Sequence, residues 1–384
     1  MQNDLAGDYE LTGNIDCSAT KIDDYNSTEG YAQGFKPIGD ISSPFTGSFD
    51  GENYVIRDLY IYRPDKIYVG LFGYTSPNYV IKNISLIDIN ITGLHSVGGL
   101  AGLTSEGTIS NSYSTGSVNG TEDVGGLVGF ASRETISNSY STSSVKGWKN
   151  VGGLVGRGKV VTISNSYSTS SVKGKNGVGG LVGFAIEGKI SNSYSTGSVK
   201  GKKGVGGLVG FKGWNNTLSN SYSTGSVDGD EYVGGLVGEH STEGTISNSY
   251  STGSVKGGGA VGGLVGENSD GIISNSYSTG SVDGIGSIGG LVGENLYGGK
   301  ISNSYSTGSV NGNDDVGGLV GKNLYGSTCV NSFWDVSTSG QSTSPCGSGK
   351  FTSQMQQQNT FSLVGWNFTD IWKIKINDYP HFQW

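Results

Sequence analysis

The sequence predicts an all-β chain. It reads as a single-stranded parallel β-helix (β-solenoid), right-handed, of about 10–11 coils of 27–28 residues with a cap at each end. Three observations predict it. The pentad Gly-Gly-Leu-Val-Gly starts at Gly125, Gly152, Gly179, Gly206, Gly234, Gly262, Gly289 and Gly317, with Gly-Gly-Leu-Ala-Gly at Gly98, and the spacing is always 27 or 28. A second marker, Asn-Ser-Tyr, keeps the same period from Asn111 to Asn303. A fixed period in this range marks a repeat architecture. Each unit is made of Ser, Thr, Gly, Val and Tyr, which favours short strands over helices, and it is too short for a propeller blade. Coils stacked at ~4.8 Å give a rod roughly 50 Å long. Parallel crossovers are nearly always right-handed.

Residues 1–52 read as an N-terminal cap and first coil. Leu5, Tyr9, Leu11, Ile15, Phe35, Ile38, Phe45 and Phe49 are its expected apolar filling. Residues 53–332 are the repeats. Early coils place Ile81, Ile84 and Leu86 where the regular coils have Ile109, Ser112 and Ser114, so Ser112 and Ser114 are expected to point inward and Tyr113 outward. Leu100, Leu127, Leu154 and their equivalents form an internal column. The corner glycines are expected to allow positive φ and close approach of stacked backbones. Buried serines need partners, either backbone carbonyls or the serine one coil away. Residues 333–384 break the period and read as an aromatic-rich C-terminal cap. Trp334 plugs the last coil, Thr352–Phe361 forms a short helix, and Trp366, Phe368, Trp372, Tyr379, Phe382 and Trp384 form a capping core. Solenoid ends need such caps because an open end is an unpaired sheet edge.

The pentad in register with Asn-Ser-Tyr-Ser-Thr-Gly-Ser-Val resembles the GLUG-motif repeat family, from about Val69 to Asn331. The flanks, Gly34-Phe-Lys-Pro-Ile-Gly39, Phe45-Thr-Gly-Ser-Phe-Asp-Gly51 and Asp378-Tyr-Pro-His-Phe-Gln-Trp384, are similar to the family's usual ends. The resemblance implies a secreted or cell-surface β-solenoid of bacterial or archaeal type, adhesin-like. The family also accompanies immunoglobulin-A-cleaving metallopeptidases, but this chain has no His-Glu-x-x-His.

No catalytic residues are assigned, and the chain is read as no enzyme. His95, His240 and His381 are its only histidines, far apart in sequence and expected at the surface or in a cap. The serines are ladders without a recurring base beside them. The carboxylate pairs Glu122-Asp123, Asp230-Glu231 and Asp314-Asp315 stand in loops before the glycine corners. They allow a remote carbohydrate-active enzyme or structural calcium, but no calcium repeat motif is present and no metal or cofactor is assigned. Cys329 and Cys346 are a disulfide candidate, and Cys17 is a free or intermolecular thiol. No apolar run is long enough to cross a bilayer, no signal peptide is recognisable at the start of the chain, and a net charge of −8 disfavours nucleic acid. Asn-x-Ser/Thr sites at Asn26, Asn83, Asn90, Asn119, Asn215 and Asn367 mark candidate glycosylation positions only.

Two surface features carry the functional expectation. One is an outward row, Tyr113, Tyr140, Tyr167, Tyr194, Tyr222, Tyr250, Tyr277 and Tyr305, read either as inter-coil stacking or as a platform for a glycan or a neighbouring rod, with a Thr row beside it. The other is charge zoning. Residues 146–212 hold 11 Lys/Arg and one Asp/Glu, a basic belt between acidic flanks. The expected function is extracellular adhesion or binding, with a glycan or surface protein as partner. The alternative is a subunit that self-assembles into a sheath, surface layer or fibre.

Overall fold

The computed structural model describes residues 1, 3–22, 25–26 and 31–384, with the side chains of 25 and 26 left aside. The sequon at Asn26 therefore lies outside the described residues in its Ser27 and Thr28. The fold is a parallel β-solenoid of about ten turns. Its contacts divide it into two compact units. The N-terminal unit is residues 1–201 with 208–211, and the C-terminal unit is residues 202–207 with 212–384.

A regular turn of the N-terminal unit carries four short strands, here named faces one to four: Thr108–Ser110, Tyr113–Asn119, Glu122–Gly125 and Val128–Ser132. Each pairs in parallel with its equivalent one turn on. Thr108 opposes Thr135, Tyr113 opposes Tyr140, Val124 opposes Val151, and Val128 opposes Val155. The C-terminal unit repeats the pattern, with Thr217 against Thr245, Tyr222 against Tyr250, Val233 against Val261, and Val237 against Val265.

The turn from face one to face two explains the Asn in Asn-Ser-Tyr. Asn111, Asn138, Asn165 and Asn192 all sit at φ 50, and Asn220, Asn248 and Asn303 are within two degrees of that. Asn tolerates this left-handed conformation best among residues with a Cβ. The corner glycines behave otherwise than expected: Gly125 and Gly126 have no positive φ. They are needed for space alone. A Cβ on Gly126 would fall inside contact distance of Ser141 Oγ and the Gly153 carbonyl.

Inside, Leu100, Leu127, Leu154 and Leu181 stack in one column and Val97, Val124, Val151 and Val178 in another, all fully buried. Each such side chain is worth about 1.5–3 kcal/mol relative to exposure. Ser112 and Ser114 point inward. Ser112 Oγ donates to the Ser110 carbonyl (2.8 Å) and accepts from Ile84 N–H (3.2 Å), while Ser114 Oγ donates to the Gly126 carbonyl (2.7 Å). Ser112 and Ser114 are thereby satisfied by backbone groups of their own and neighbouring turns, whereas further along the Ser114 column the hydroxyls of Ser195, Ser223, Ser251 and Ser278 are buried without a hydrogen-bond partner among the described residues.

At the N-terminus the parallel ladder already begins at Asp8–Glu10, paired with Ser48–Asp50. Ile38, Phe45 and Phe49 are buried there, whereas Leu5, Tyr9, Leu11 and Phe35 are half-buried and Ile15 is exposed. At the other end Trp334 takes the position of an inward Ser, paired with Ser306, and is buried against Gly318. The expected single helix over 352–361 is instead two, α2 (Thr352–Met355) and α3 (Gln358–Ser362), after a capped α1 at Val336–Ser339. Neither Phe351 nor Gln357 caps its helix with its own side chain, but Gln354 Oε1 accepts from the Phe351 N–H at 3.0 Å at the start of α2. Cys329 and Cys346 are bonded, with Cα atoms 5.7 Å apart. Cys17 is free and half-buried, its thiol pushed up by burial and then by Asp16 and Asp58, which makes it a weak nucleophile.

Candidate binding face

Face two of the N-terminal unit alternates in its regular turns. In the turn Tyr140–Lys146, Ser141, Ser143 and Val145 are buried, while Tyr140, Thr142, Ser144 and Lys146 point out. Stacking converts this into rows. Tyr113, Tyr140, Tyr167 and Tyr194 form a ladder with ring centroids 4.6, 4.6 and 4.9 Å apart and interplanar angles of 4, 6 and 2°. Beside it run Thr115, Thr142, Thr169 and Thr196, then Ser117, Ser144, Ser171 and Ser198. Last come Asn119, Lys146, Lys173 and Lys200, in register across the turns.

The tyrosine geometry decides what the ladder can offer. Parallel rings this close occupy each other's faces, so the stripe presents ring edges and hydroxyls rather than open aromatic planes. Burial first, then the neighbouring Tyr113 and Tyr167, pushes the Tyr140 hydroxyl up to about 12, so it stays a neutral hydrogen-bond donor at any physiological pH.

In the C-terminal unit the matching ladder is a different object. Tyr222, Tyr250, Tyr277 and Tyr305 again stack at 4.9–5.0 Å. The C-terminal segment lies across them. Trp384 packs on Tyr222 and Tyr250, Phe382 on Tyr250 and Tyr277, and Trp372 on Tyr277 and Tyr305. Tyr277 and Tyr305 are 8% and 1% exposed, and the Tyr305 hydroxyl donates to the Pro380 carbonyl. The outward row expected from the sequence is therefore corrected for these residues. They are the floor of an aromatic core with Phe333, Met355, Phe361 and Trp366. The aromatic residues expected to form a capping core pack on one another, Trp366 on Trp372 and Trp372 on Phe382 at 4.7 Å each, and that core also lies along the tyrosine ladder.

The basic belt also resolves residue by residue. Lys149 pairs with Glu122 at 2.6 Å. Arg157 is held between the rings of Phe130 and Phe184, at 4.9 and 5.7 Å. Lys175 Nζ lies 3.2 Å from the ring centre of Trp148. In the C-terminal unit Lys202 and Lys203 pair with Asp230 and Glu231. Lys212 is not at the surface at all. It is fully buried, with Nζ donating to the Asn216 carbonyl and 3.1 Å from His240 Nε2. Burial pulls its amine down to about 7.

His240, expected at the surface, is likewise fully buried, its imidazole held well below its ordinary value by burial and by Lys212. It shares an inward row on face four with Asn268 and Asn295, and Asn268 Nδ2 donates to Asn295 Oδ1 at 2.7 Å. Size complementarity explains the row. Gly244, Gly271 and Gly299 stand at the facing corner, and a Cβ on any of them would strike these polar side chains. In the N-terminal unit the sizes are reversed. Tyr79 and Glu134 occupy that corner, and the facing row holds Thr75, Thr104, Ala131 and Gly158. Glu134 is 2% exposed, and burial pushes its carboxyl up to about 8 against the weaker pull of Tyr79, Gly107 and Thr104.

One feature of the C-terminal unit carries no sequence signal until the register is known. Glu239, Glu267 and Glu294 stack on face four beside a shallow groove of about 270 Å³. Burial and the two flanking carboxylates push Glu267 up to about 7. Among the described residues, no three His, Cys, Asp or Glu side chains come together to hold a metal ion.

The GLUG motif model matches residues 93–119, 120–146, 174–200, 229–256, 257–283 and 284–311. The chain is a GLUG-repeat protein. Each matched stretch is one turn, running through faces three, four, one and two in that order. The chain is 41% identical over 115 residues to halomucin of Haloquadratum walsbyi, covering 29% of this chain and 1% of that protein. It is 41% identical over 59 residues to a candidate Gly-rich membrane protein of Evansella cellulosilytica, covering 15% of this chain and 7% of that one. The chain thus spans a small fraction of the curated relatives it matches. Among solved structures it is similar to a candidate immunoglobulin A1 protease from Bacteroides ovatus, with 19% identity over 98% of this chain and 85% of that chain. The TM-score there is 0.37. Among the described residues, no helix is long and apolar enough to cross a membrane.

Proposed function

We propose that this GLUG-repeat chain is a non-catalytic binding module of an extracellular or cell-surface protein, using face two of its N-terminal unit to hold a glycan or protein of another surface. The observation that carries the reading is the contrast between two copies of one ladder. The same tyrosine row is covered by the chain's own C-terminal segment in one unit and left uncovered in the other, while the threonine and serine rows beside it stay exposed or half-buried in both apart from Thr307. A ladder that needed cover for stability would need it in both units. The names of the matched relatives, halomucin and a Gly-rich membrane protein, support a surface setting.

The test is retention of the purified chain on immobilised surface polysaccharides and surface proteins, with its mass in solution followed by light scattering. A monomer that is retained, and released by substitutions on face two, supports the reading. A chain that forms filaments or sheets and is retained on nothing contradicts it and favours the self-assembling subunit.

A further inference from the structure

The outer column of face two differs in charge between the units. In the C-terminal unit it reads Asp228, Lys256, Asp283, Asn311, with alternating sign. In the N-terminal unit it reads Asn119, Lys146, Lys173, Lys200, three cations in register at one-turn spacing. Like charges placed directly opposite on neighbouring strands are destabilising. Three other cations of the N-terminal unit are answered locally, Lys82 by Asp50 at 2.8 Å, Arg133 by Glu106 at 3.1 Å and Lys149 by Glu122, while Lys159 and Lys189 stand singly on faces four and one. Lys146 and Lys173 have no carboxylate partner among the described residues, and both are exposed. Lys175, on the following corner, is held over the exposed Trp148.

Across the face the rows are therefore phenol hydroxyl, threonine hydroxyl, serine hydroxyl and ammonium. At about 3.3 Å per residue the strip is on the order of 20 Å wide, and every row repeats at ~4.8 Å along the stack. All four rows offer hydrogen-bond donors, and the only fixed charge among them is positive. Closed ring faces rule out stacking of bases on the tyrosines, which single-stranded nucleic acids need. The fitting partner is a polymer rich in hydroxyl and anionic acceptors.

We infer that face two of the N-terminal unit binds an anionic polysaccharide, carrying carboxylate or sulfate groups, laid along the stack. The Lys146, Lys173 and Lys200 column meets the anions, and the Tyr, Thr and Ser rows meet the sugar hydroxyls. This rests on the binding-module reading above and names its ligand class. Both the repeat of the ligand and the repeat of the face are linear, so affinity rises with polymer length as successive turns engage.

The test titrates the full chain with sodium polygalacturonate, chondroitin sulfate, neutral dextran and single-stranded DNA, at low and high salt. Binding of polygalacturonate, chondroitin sulfate or both, weakened by salt, with dextran and DNA much weaker, is expected; the two polymers separate carboxylate from sulfate recognition. The triple variant Lys146→Gln, Lys173→Gln, Lys200→Gln should lose roughly tenfold or more in affinity, with an unchanged melting profile as the check on folding. Lys256→Gln should leave binding as it was. An unaffected triple variant, or DNA bound as tightly as polygalacturonate, overturns the inference. Equal binding of dextran overturns it too but leaves the binding module standing. Failure to bind any polymer, together with failure to be retained on any surface, removes both.

Discussion

Replacing Glu134 by Gln should remove a large part of the pH dependence of the N-terminal unit's stability. The carboxyl moves from an ordinary 4.5 to about 8 on folding, because it is buried. A raised carboxyl value means that the folded state keeps the proton while the unfolded chain gives it up. Its contribution to stability is then complete below pH 4.5, declines as pH rises, and is lost once pH passes 8. The full span corresponds to roughly 5 kcal/mol, of which about 3 kcal/mol is lost by pH 7. That is a large share of a typical folding free energy. Gln cannot titrate, so urea unfolding of wild type and Glu134→Gln at several pH values isolates the effect as a difference curve. Wild type should lose several kcal/mol against the variant between pH 4.5 and 8. The subtraction matters because Glu267 contributes in the same direction and Lys212 in the opposite one. Parallel curves would refute the buried, protonated carboxyl.

Three more perturbations test the packing. Lys212→Met should stabilise the C-terminal unit most at pH 7 and below, and its advantage should shrink towards pH 10.5, because the wild-type amine is lowered to about 7 and folding must strip its proton between those values; urea titrations at the two pH values read the sign. Gly153→Ala should cost about 1–3 kcal/mol or more, since its Cβ would meet Ser168 Oγ and the Gly180 carbonyl, whereas Gly13→Ala meets nothing and should be near neutral; thermal melts compare them. The Cys329–Cys346 bond spans a sequence separation of 17, so reductant should cost about 3 kcal/mol in urea unfolding, and Cys17→Ser should leave that difference unchanged.

The turn itself was legible because each column of the solenoid is written nine times over. Ser112 and Ser114 could be placed inside by comparison with Ile84 and Leu86, and the tyrosine row outside by the same alternation. The Asn before face two was visible as a repeated marker, but only the left-handed turn shows why it recurs. Three things were hidden. The cover over Tyr305 comes from residues some 75 positions on, with no period to announce it. The buried Lys212, His240 and Glu134 sit at positions where the facing corner decides the size, and that pairing emerges only once faces one and four are brought together. The lysine column was visible as net charge but not as a column. Of the eleven cations in the belt, Lys212 is interior, Arg157 lies between rings, Lys175 lies over Trp148, and Lys149, Lys202 and Lys203 are paired; Lys159 and Lys189 are exposed on faces four and one, and Lys146, Lys173 and Lys200 stand in register on face two.

Lysine acetylation footprinting of the full chain, with and without saturating polygalacturonate or chondroitin sulfate, tests the central claim most directly. The binding-face account predicts slowed modification at Lys146, Lys173 and Lys200 with Lys256 and Lys300 unchanged. Uniform rates at all five, or protection confined to the C-terminal unit, would contradict it.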